Sequence, residues 1–134
     1  MQNGINLPFT VDISPTLGIR GLIATRRIHK GEVVERCPAV VYLKNRQVIE
    51  QTIFDNYVFD WDEKHEALAL GYGSLCNHSY ERNVEVDFDY SRAEIIFTAM
   101  SDIEVGEELL ISYSDDSQEP IDQSYISFDK DLAN

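Results

Sequence analysis

Two short segments of the chain combine glycines with polar side chains in a way that could build a ligand site. The first is Gly71–Ser79, in which two glycines precede an Asn-His-Ser triplet. The second is the segment 19–24, in which Arg20 and Gly21 precede an apolar run. Glycines permit backbone angles and close approaches that other residues resist. Taken alone, Gly71–Ser79 is typical of a plain turn, because such triplets occur by chance and one histidine cannot make a metal site. The segment 19–24 is by itself a hairpin, because the phosphate-binding glycine fingerprint requires a helix directly after it.

Other polar side chains in the sequence have a structural explanation by default. Tyr113 ends an apolar run and, taken alone, is a core tyrosine with a satisfied hydroxyl. The segment Gly106–Leu109 is by default a turn on an acidic surface. Five carboxylate and imidazole groups could in principle ligate a metal, but they show neither paired-histidine spacing nor a nearby pair of cysteines: Asp60, Asp62, His65, His78 and Asp87. We therefore expect no metal site.

The elements that must position these groups are mostly short strands. Strict alternation over 84–90 and an apolar run over 94–99 predict the clearest hairpin. Residues 22–25 and 33–34, separated by a glycine-containing turn, predict a second hairpin, and 109–113 predict a final strand. The proline that begins the β-branched run 38–43 predicts a strand starting at a sheet edge. One short helix is predicted within 44–56, strand formers occupy 57–62, and 63–66 predict a polar loop.

Length and composition are typical of one β-rich α+β domain. The chain has 134 residues, of which 43% are hydrophobic, and no apolar run approaches the roughly 20 residues of a membrane-spanning helix. We expect a single domain over 1–134, with a core at about 14–115 and an acidic C-terminal tail at 116–134. The two cysteines, Cys37 and Cys76, are too few for a disulfide framework or a four-ligand zinc site. We therefore expect an intracellular location, cytoplasmic or nuclear.

Negative charge is concentrated in the second half of the chain. The net charge is −13, and residues 51–134 carry 20 acidic and 4 basic residues, a net charge of −16. Such a surface disfavours direct binding of nucleic acid and favours a basic protein partner. Neither a membrane nor a nucleic acid is expected as partner. The oligomeric state stays open, with a homodimer as one possibility.

The order and spacing of these pieces resemble the SET-domain protein-lysine methyltransferases. The resemblance runs from about Ser14 to about Asp115 and rests on four motifs in the same order. They are Arg20-Gly21-Leu22 followed by Ala-x-x-x-Ile-x-x-Gly-Glu, Tyr-x-Phe-Asp-x-Asp from Tyr57, Asn77-His78-Ser79 with Asn83, and Asp-Ile-x-x-Gly-Glu-Glu-Leu-x-x-x-Tyr up to Tyr113. The chain departs from the family pattern at Ile19, where a glycine is usual, and at Ser74-Leu75-Cys76, where Arg-Phe-Ile is common.

The resemblance implies a β-clip-like SET fold of several small sheets, in which the segment 77–78 and the C-terminal strand cross as a pseudoknot. It implies S-adenosylmethionine as cofactor and methyl transfer to a lysine in a basic protein segment, histone-like or ribosomal. The implied catalytic residue is Tyr113, whose hydroxyl would orient the lysine amine. The implied cofactor-binding residues are Arg20, Gly21, Leu22, Tyr57, Asn77 and His78.

Two questions stay open from the sequence. Many relatives close the lysine channel with a cysteine-rich zinc segment, but no cysteine follows Cys76. The apolar tail residues Ile121, Tyr125, Ile126 and Phe128 are the groups left for that closure, and a disordered acidic tail is an equal alternative. A non-catalytic SET-like protein-binding module and an acidic mimic of nucleic acid are the competing functions. Calorimetry with S-adenosylmethionine distinguishes the binding module from the enzyme.

Overall fold

The computed structural model describes residues 7–112, so Tyr113 and the tail at 116–134 lie outside the described residues. Within 7–112 the chain forms nine strands, one short α-helix and two 3-10 helices. The strands are β1 Phe9–Ile13, β2 Arg20–Ala24, β3 Val33–Leu43, β4 Val58–Asp60, β5 His65–Ala69, β6 Asn77–His78, β7 Val84–Asp89, β8 Glu94–Ala99 and β9 Glu108–Ile111. The helix α1 is Arg46–Ile49, and the 3-10 helices are Ile53–Asn56 and Gly73–Leu75.

The first sheet has the strand order β1-β2-β9-β6 and brings distant parts of the chain together. The β2 strand is antiparallel to both β1 and β9, with Leu22 opposite Leu109 in the second pairing. The β6 strand is parallel to β9, with Asn77 opposite Leu110. The expected contact between the segment 77–78 and the C-terminal strand is therefore present, and the predicted final strand is confirmed over residues 109–111.

The second sheet has the order β4-β5-β3-β8-β7, with the long strand β3 at its centre. The first half of β3 pairs with β8 and the second half pairs with β5. Pro38 lies at the change of partner, where the carbonyl of Pro38 accepts a hydrogen bond of 2.8 Å from the backbone of Leu70. The predicted edge position of Pro38 is wrong, because a residue without an N–H also fits where a strand passes from one neighbour to the next.

One predicted hairpin is confirmed and one is wrong. The β7 and β8 strands pair antiparallel in full register, from Val84 opposite Ala99 to Asp89 opposite Glu94. The predicted hairpin of β2 and β3 does not form, because these strands belong to different sheets. The segment between them crosses over and makes a bridge with two backbone hydrogen bonds of 2.8 Å between Ile28 and Ile103, both fully buried.

The single helix predicted within 44–56 is split into two short pieces. The Asn45 side chain caps α1 by accepting from the backbone of Val48 at 3.3 Å. The Thr52 hydroxyl caps the following 3-10 helix by accepting from the backbone of Phe54 at 3.2 Å. Ser, Thr, Asp and Asn are preferred at helix N-caps because their side chains accept hydrogen bonds from the first backbone N–H groups. Thr52 therefore begins a second helical segment. None of the helices within 7–112 is long and apolar enough to cross a membrane.

One cluster of buried apolar side chains draws on both sheets. Leu22 and Leu109 come from the first sheet, and Ile95 and Phe97 come from β8 in the second. The predicted polar loop at 63–66 is wrong at its end, because the chain enters β5 at His65 and buries the Glu66 side chain. Both cysteines are buried and neither forms a disulfide, and burial is the main cause that raises the pKa of the Cys37 thiol to about 12.

Candidate active site

The candidate site lies where β2, β6 and β9 meet in the first sheet. Because β9 pairs with β2 on one side and with β6 on the other, three residues far apart in sequence become neighbours. These are Gly21 on β2, Asn77 on β6 and Glu108 on β9. Two of the residues implied by the resemblance, Gly21 and Asn77, are thus brought together by the strand order.

Asn77 is 4% exposed and its side-chain amide is held from two sides. Its Nδ2 atom donates to the Oε2 atom of Glu108 at 2.7 Å and to the backbone carbonyl of Arg20 at 3.0 Å. Because both partners are acceptors only, the nitrogen rather than the oxygen of the amide must face them. The position and rotation of the Asn77 carboxamide are therefore fixed by the protein itself.

Glu108 is a buried residue of the site, although the sequence pattern predicts it on an acidic surface. Its side chain is 7% exposed, and its Oε1 atom accepts from the hydroxyl of Ser14 at 2.5 Å. Ser14 is 2% exposed. Within residues 7–112 no cation forms an ion pair with Glu108, so neutral donors satisfy its two oxygens.

The turn before β9 explains why the expectation for Glu108 is wrong. Glu107 is the exposed residue of that turn, where its Oε1 atom accepts from the backbone of Glu104 at 2.7 Å. Glu108 is the first residue of β9 and points to the opposite side, because successive strand residues alternate between faces. The available signal was this alternation, but the cover over Glu108 comes from β2 and β6, which only the tertiary structure reveals.

A side chain at position 21 would collide with the side chains of Asn77 and Glu108. A Cβ atom at this position would lie 2.7 Å from Nδ2 of Asn77 and closer still to Oε2 of Glu108. Non-bonded carbon atoms do not approach polar heavy atoms this closely without displacing them. The glycine therefore lets the β2 backbone press against the Asn77 and Glu108 pair.

Asn83 fastens β9 to the segment that follows β6. Its Nδ2 atom donates to the backbone carbonyl of Glu108 at 2.9 Å, and its Oδ1 atom accepts from the backbone of Leu110 at 2.8 Å. The Asn83 backbone adds a third hydrogen bond, to the carbonyl of Leu110 at 3.0 Å. This explains why an asparagine follows the Asn-His-Ser triplet at this spacing.

His78 lies next to Asn77 on β6 and is 8% exposed. Its ring packs edge-to-face on Tyr80, with the ring centroids 5.6 Å apart. Burial lowers the pKa of His78 below the ordinary value of 6.5, because desolvation disfavours the charged imidazolium. The imidazole is therefore neutral at neutral pH.

The remaining predicted site residues differ in how they contact the group formed by Gly21, Asn77 and Glu108. Leu22 is 2% exposed in the core and lies between β1 and β9, whereas the Arg20 carbonyl is part of the Asn77 contact. The Tyr57 carbonyl accepts from the hydroxyl of Ser74 at 3.3 Å. Ser74 thus connects Tyr57 to the segment that leads into β6. Tyr113 lies outside the described residues.

The candidate metal ligands do not assemble. Within the described part of the chain, no group of three or more His, Cys, Asp and Glu side chains is arranged to hold a metal ion. Asp62 and His65 form a local pair, with Oδ1 of the carboxylate 2.8 Å from Nδ1 of the imidazole. The same carboxylate oxygen also caps the backbone of Lys64 and His65 at 2.8 Å each, which is the pattern of a turn.

Comparison with known proteins identifies the family. A model of the SET domain matches residues 19–114. A histone-lysine N-methyltransferase of Schizosaccharomyces pombe, H3 lysine-37 specific, is 33% identical over 98 residues, which are 72% of this chain and 67% of that protein. A crystallised Plasmodium falciparum protein named as a histone methyltransferase has a TM-score of 0.68 at 28% identity, covering 86% of this chain and 100% of that chain. The structure of ctPRC2 in complex with H3K27me3 and H3K27M has a TM-score of 0.66 at 25% identity, covering 80% of this chain and 14% of that chain.

The chain therefore belongs to the SET domain family. The expected β-rich fold of several small sheets is confirmed by these structural neighbours. The protein is a protein-lysine N-methyltransferase, and the methyl donor of this family is S-adenosylmethionine. The prediction of an enzyme rather than a binding module is thus confirmed.

Proposed function

We propose that the site formed by Gly21, Asn77 and Glu108 binds the amino-acid end of S-adenosylmethionine. The observation that carries the proposal is a buried carboxylate held by neutral donors beside a fixed carboxamide. A group with a positively charged ammonium fits such surroundings, because a buried anion is stabilised by a nearby cation. The glycine at 21 supports the same assignment, since it keeps side-chain atoms away from the pair.

The other residues implied by the resemblance complete the proposed cofactor site. Arg20 and Leu22 would contribute backbone groups, His78 would present backbone groups to the adenine, and Tyr57 would contact the cofactor at its edge. The hydrogen bond from Ser74 to the Tyr57 carbonyl supports placing Tyr57 near the β6 segment. The neutral state of the His78 imidazole supports a packing role rather than an acid–base role.

The chemistry we propose needs positioning more than a reactive protein group. When bound, S-adenosylmethionine supplies a methyl group on a positively charged sulfur. The barrier to in-line transfer is lowered mainly by aligning the amine, the methyl group and the sulfur. The incoming lysine must be neutral although its ordinary pKa is about 10.4, and a dry channel favours the neutral form. We assign Tyr113 to orienting this amine through its hydroxyl, because a phenol with a pKa near 10 is a poor base at neutral pH.

The substrate we propose is a lysine in a positively charged, flexible segment, such as a histone-like tail or a ribosomal-protein extension. The net charge of −16 over residues 51–134 supports it, because a negative surface steers basic peptides toward the protein. The S. pombe relative is by name specific for lysine-37 of histone H3, and the ctPRC2 structure contains H3 ligands. Such a substrate also supports an intracellular location for this protein.

The test of this function is methyl transfer to matched peptides at several salt concentrations. We expect lysine methylation of basic H3-type peptides, detected by mass spectrometry, and little transfer to acidic peptides with the same lysine. Raising salt should lower kcat/KM while leaving kcat nearly unchanged, since exposed charges are screened beyond about 8 Å at physiological ionic strength. Tyr113→Phe should lose at least about 10-fold in kcat, whereas Tyr90→Phe, at a tyrosine 62% exposed, serves as the matched control.

Two results would contradict the proposal. Methyl groups found on arginine or nucleic acid would remove the lysine assignment. Equal transfer to acidic and basic peptides, with no change of kcat/KM with salt, would show that the negative surface has no part in substrate recognition.

A further inference from the structure

We propose that Glu108 is a positioning residue, which holds the Asn77 carboxamide in the one rotation that turns its Oδ1 atom toward the ligand. In this rotation Asn77 recognises a hydrogen-bond donor, and the α-ammonium group of the cofactor is the donor we assign. The inference rests on the proposed function, because it takes the cofactor's amino-acid end to lie at this site. It adds to that function a residue outside the predicted site and a reason for the chemical selectivity of Asn77.

A count of hydrogen bonds at Asn77 supports the orientation. A primary carboxamide has two N–H donors and one carbonyl oxygen. Both donors of Asn77 are used inside the protein, one for the Glu108 carboxylate and one for the Arg20 carbonyl. The oxygen is therefore the atom of the carboxamide that remains to bind a ligand, and it binds donors only.

The partner at 108 must be an acceptor for this arrangement to hold. If the carboxamide rotated by half a turn, its oxygen would face the carboxylate of Glu108 and the carbonyl of Arg20, which are both acceptors. A buried polar group left without a partner costs about 1–3 kcal/mol, so the rotated state is strongly disfavoured. Glu108, together with the Arg20 carbonyl, thereby makes position 77 present an acceptor rather than a donor to the cofactor.

Glu108 is itself held in place before any ligand arrives. The Ser14 hydroxyl accepts from the backbone of Leu17 at 3.1 Å, which leaves its own hydrogen directed to Oε1 of Glu108 at 2.5 Å. The backbone carbonyl of Glu108 accepts from the Asn83 side chain at 2.9 Å. Both ends of the residue are thus anchored to separate elements, which is what a positioning role requires.

The experiment compares two probes that differ only in the amino-acid end. S-adenosylhomocysteine carries the amino-acid end and 5′-methylthioadenosine lacks it, and both have a neutral sulfur. Glu108→Gln keeps an acceptor for Asn77 and removes the charge, so we expect S-adenosylhomocysteine to bind about 3-fold more weakly. Glu108→Met removes both, so we expect binding about 30-fold weaker. Calorimetry should give an unchanged Kd for methylthioadenosine in both variants. Glu107→Gln, at the exposed neighbour, is the matched control with both Kd values unchanged.

The outcomes separate this inference from the function on which it rests. If wild-type protein binds neither probe, the proposed cofactor site is wrong. If Glu108→Met weakens the binding of methylthioadenosine as much as that of S-adenosylhomocysteine, Glu108 has a general structural role and the inference fails. Equal binding of S-adenosylhomocysteine by the Met variant and by wild type overturns it as well.

A crystal structure of the wild-type protein with S-adenosylhomocysteine tests the same point without a substitution. We expect the ammonium nitrogen at about 3 Å from Oδ1 of Asn77, with Nδ2 still on Glu108. A structure in which Nδ2 of Asn77 faces the ligand, or in which the ammonium lies elsewhere, would overturn the inference even if the Met variant does not fold.

Discussion

Within residues 7–112, two glutamates are almost completely buried, and they differ in whether a cation is among their partners. Glu66 on β5 is 2% exposed and accepts from the Tyr42 hydroxyl at 3.0 Å and from the guanidinium of Arg46. The same guanidinium also binds Asp55, in the 3-10 helix that follows α1. Glu108 on β9 is 7% exposed and is satisfied by the neutral donors of Ser14 and Asn77.

On the proposed function, the difference separates a structural charge at Glu66 from one available to a ligand at Glu108. At Glu66 the Arg46 cation neutralises the carboxylate and ties the segment 46–56 to the second sheet. Burial, and then the hydrogen bond to Glu66, raises the pKa of Tyr42 to about 12, so the Tyr42 hydroxyl stays a donor. At Glu108 no protein cation within 7–112 neutralises the charge. A cationic ligand would then offset the negative charge of Glu108, as Arg46 offsets that of Glu66.

The largest expected effect is on stability, at the Arg46 and Glu66 pair. Arg46→Met leaves the Glu66 carboxylate buried without its cation, and we expect a loss of about 2–3 kcal/mol in the free energy of unfolding. The figure lies below the roughly 3–5 kcal/mol of a fully buried pair because the Arg46 side chain is 42% exposed and is partly screened by water. Urea denaturation measures the change.

A double variant sharpens this prediction. Arg46→Met combined with Glu66→Met should recover much of the lost stability, since apolar residues can replace a buried ion pair at little cost. If the double variant is as unstable as the sum of the two single variants, the pair is not what holds the segment 46–56. The Kd for S-adenosylhomocysteine should stay unchanged in the folded double variant, because neither Arg46 nor Glu66 belongs to the proposed cofactor site.

The next effect is on cofactor binding, at Gly21. Gly21→Ala should weaken S-adenosylhomocysteine binding about 30-fold, roughly 2 kcal/mol, because the new Cβ would displace Asn77 and Glu108. Gly31→Ala is the control, since its Cβ would meet nothing within 4 Å. Gly31 has φ +89°, so the control should lose about 1 kcal/mol of stability but no affinity. Equal affinity of Gly21→Ala and wild type would show that this close approach does not matter for the ligand.

The smallest effect is a pH dependence of stability at His78. Burial lowers the pKa of this imidazole in the folded protein, so the unfolded chain binds a proton more readily. The contribution of the neutral His78 imidazole to the free energy of unfolding is complete above about pH 6.5. It is lost as the pH falls from 6.5 through the lowered pKa of the folded protein. We expect the difference in unfolding free energy between pH 7.5 and 5.5 to be smaller in His78→Gln than in wild type.

His29→Gln is the control for this measurement, since His29 lies on the surface. It shows what the same substitution does at an exposed position. A His78→Gln variant with the wild-type pH dependence would mean that another group, rather than His78, titrates in this range.

Local patterns predicted the parts of this fold that are stabilised locally. The β7 and β8 hairpin follows from strict alternation, because both strands and their turn lie within sixteen consecutive residues, 84–99. Gly21 and Asn77 were predicted differently, from the resemblance of their motifs to those of the SET-domain family. Burial of a charged residue is different, because the partner that makes it tolerable can lie anywhere in the chain. Ser14 is 94 positions from Glu108, and no local pattern connects them.

The same distinction explains the predictions that are wrong. The segments around Leu22 and Val33 have the apolar composition of two paired strands. The chain between them instead forms the buried bridge of Ile28 with Ile103, and β2 and β3 lie in different sheets. Glu66 lies in a charged run that is typical of a loop, but Arg46 and Tyr42 make its burial in β5 possible. Tyr113 and the tail lie outside the described residues, so their predicted roles stay predictions.

The position of β9 between β2 and β6 also has a consequence for how the molecule is made. Contacts between residues far apart in sequence form slowly, because a long loop must close before they give any stability. On the ribosome, Gly21 and Asn77 emerge before Glu108, and the strand that lies between β2 and β6 in the first sheet, β9, is synthesised last. The second sheet, in contrast, is complete in sequence at Ala99. A nascent chain can therefore fold its scaffold first and acquire its ligand site last.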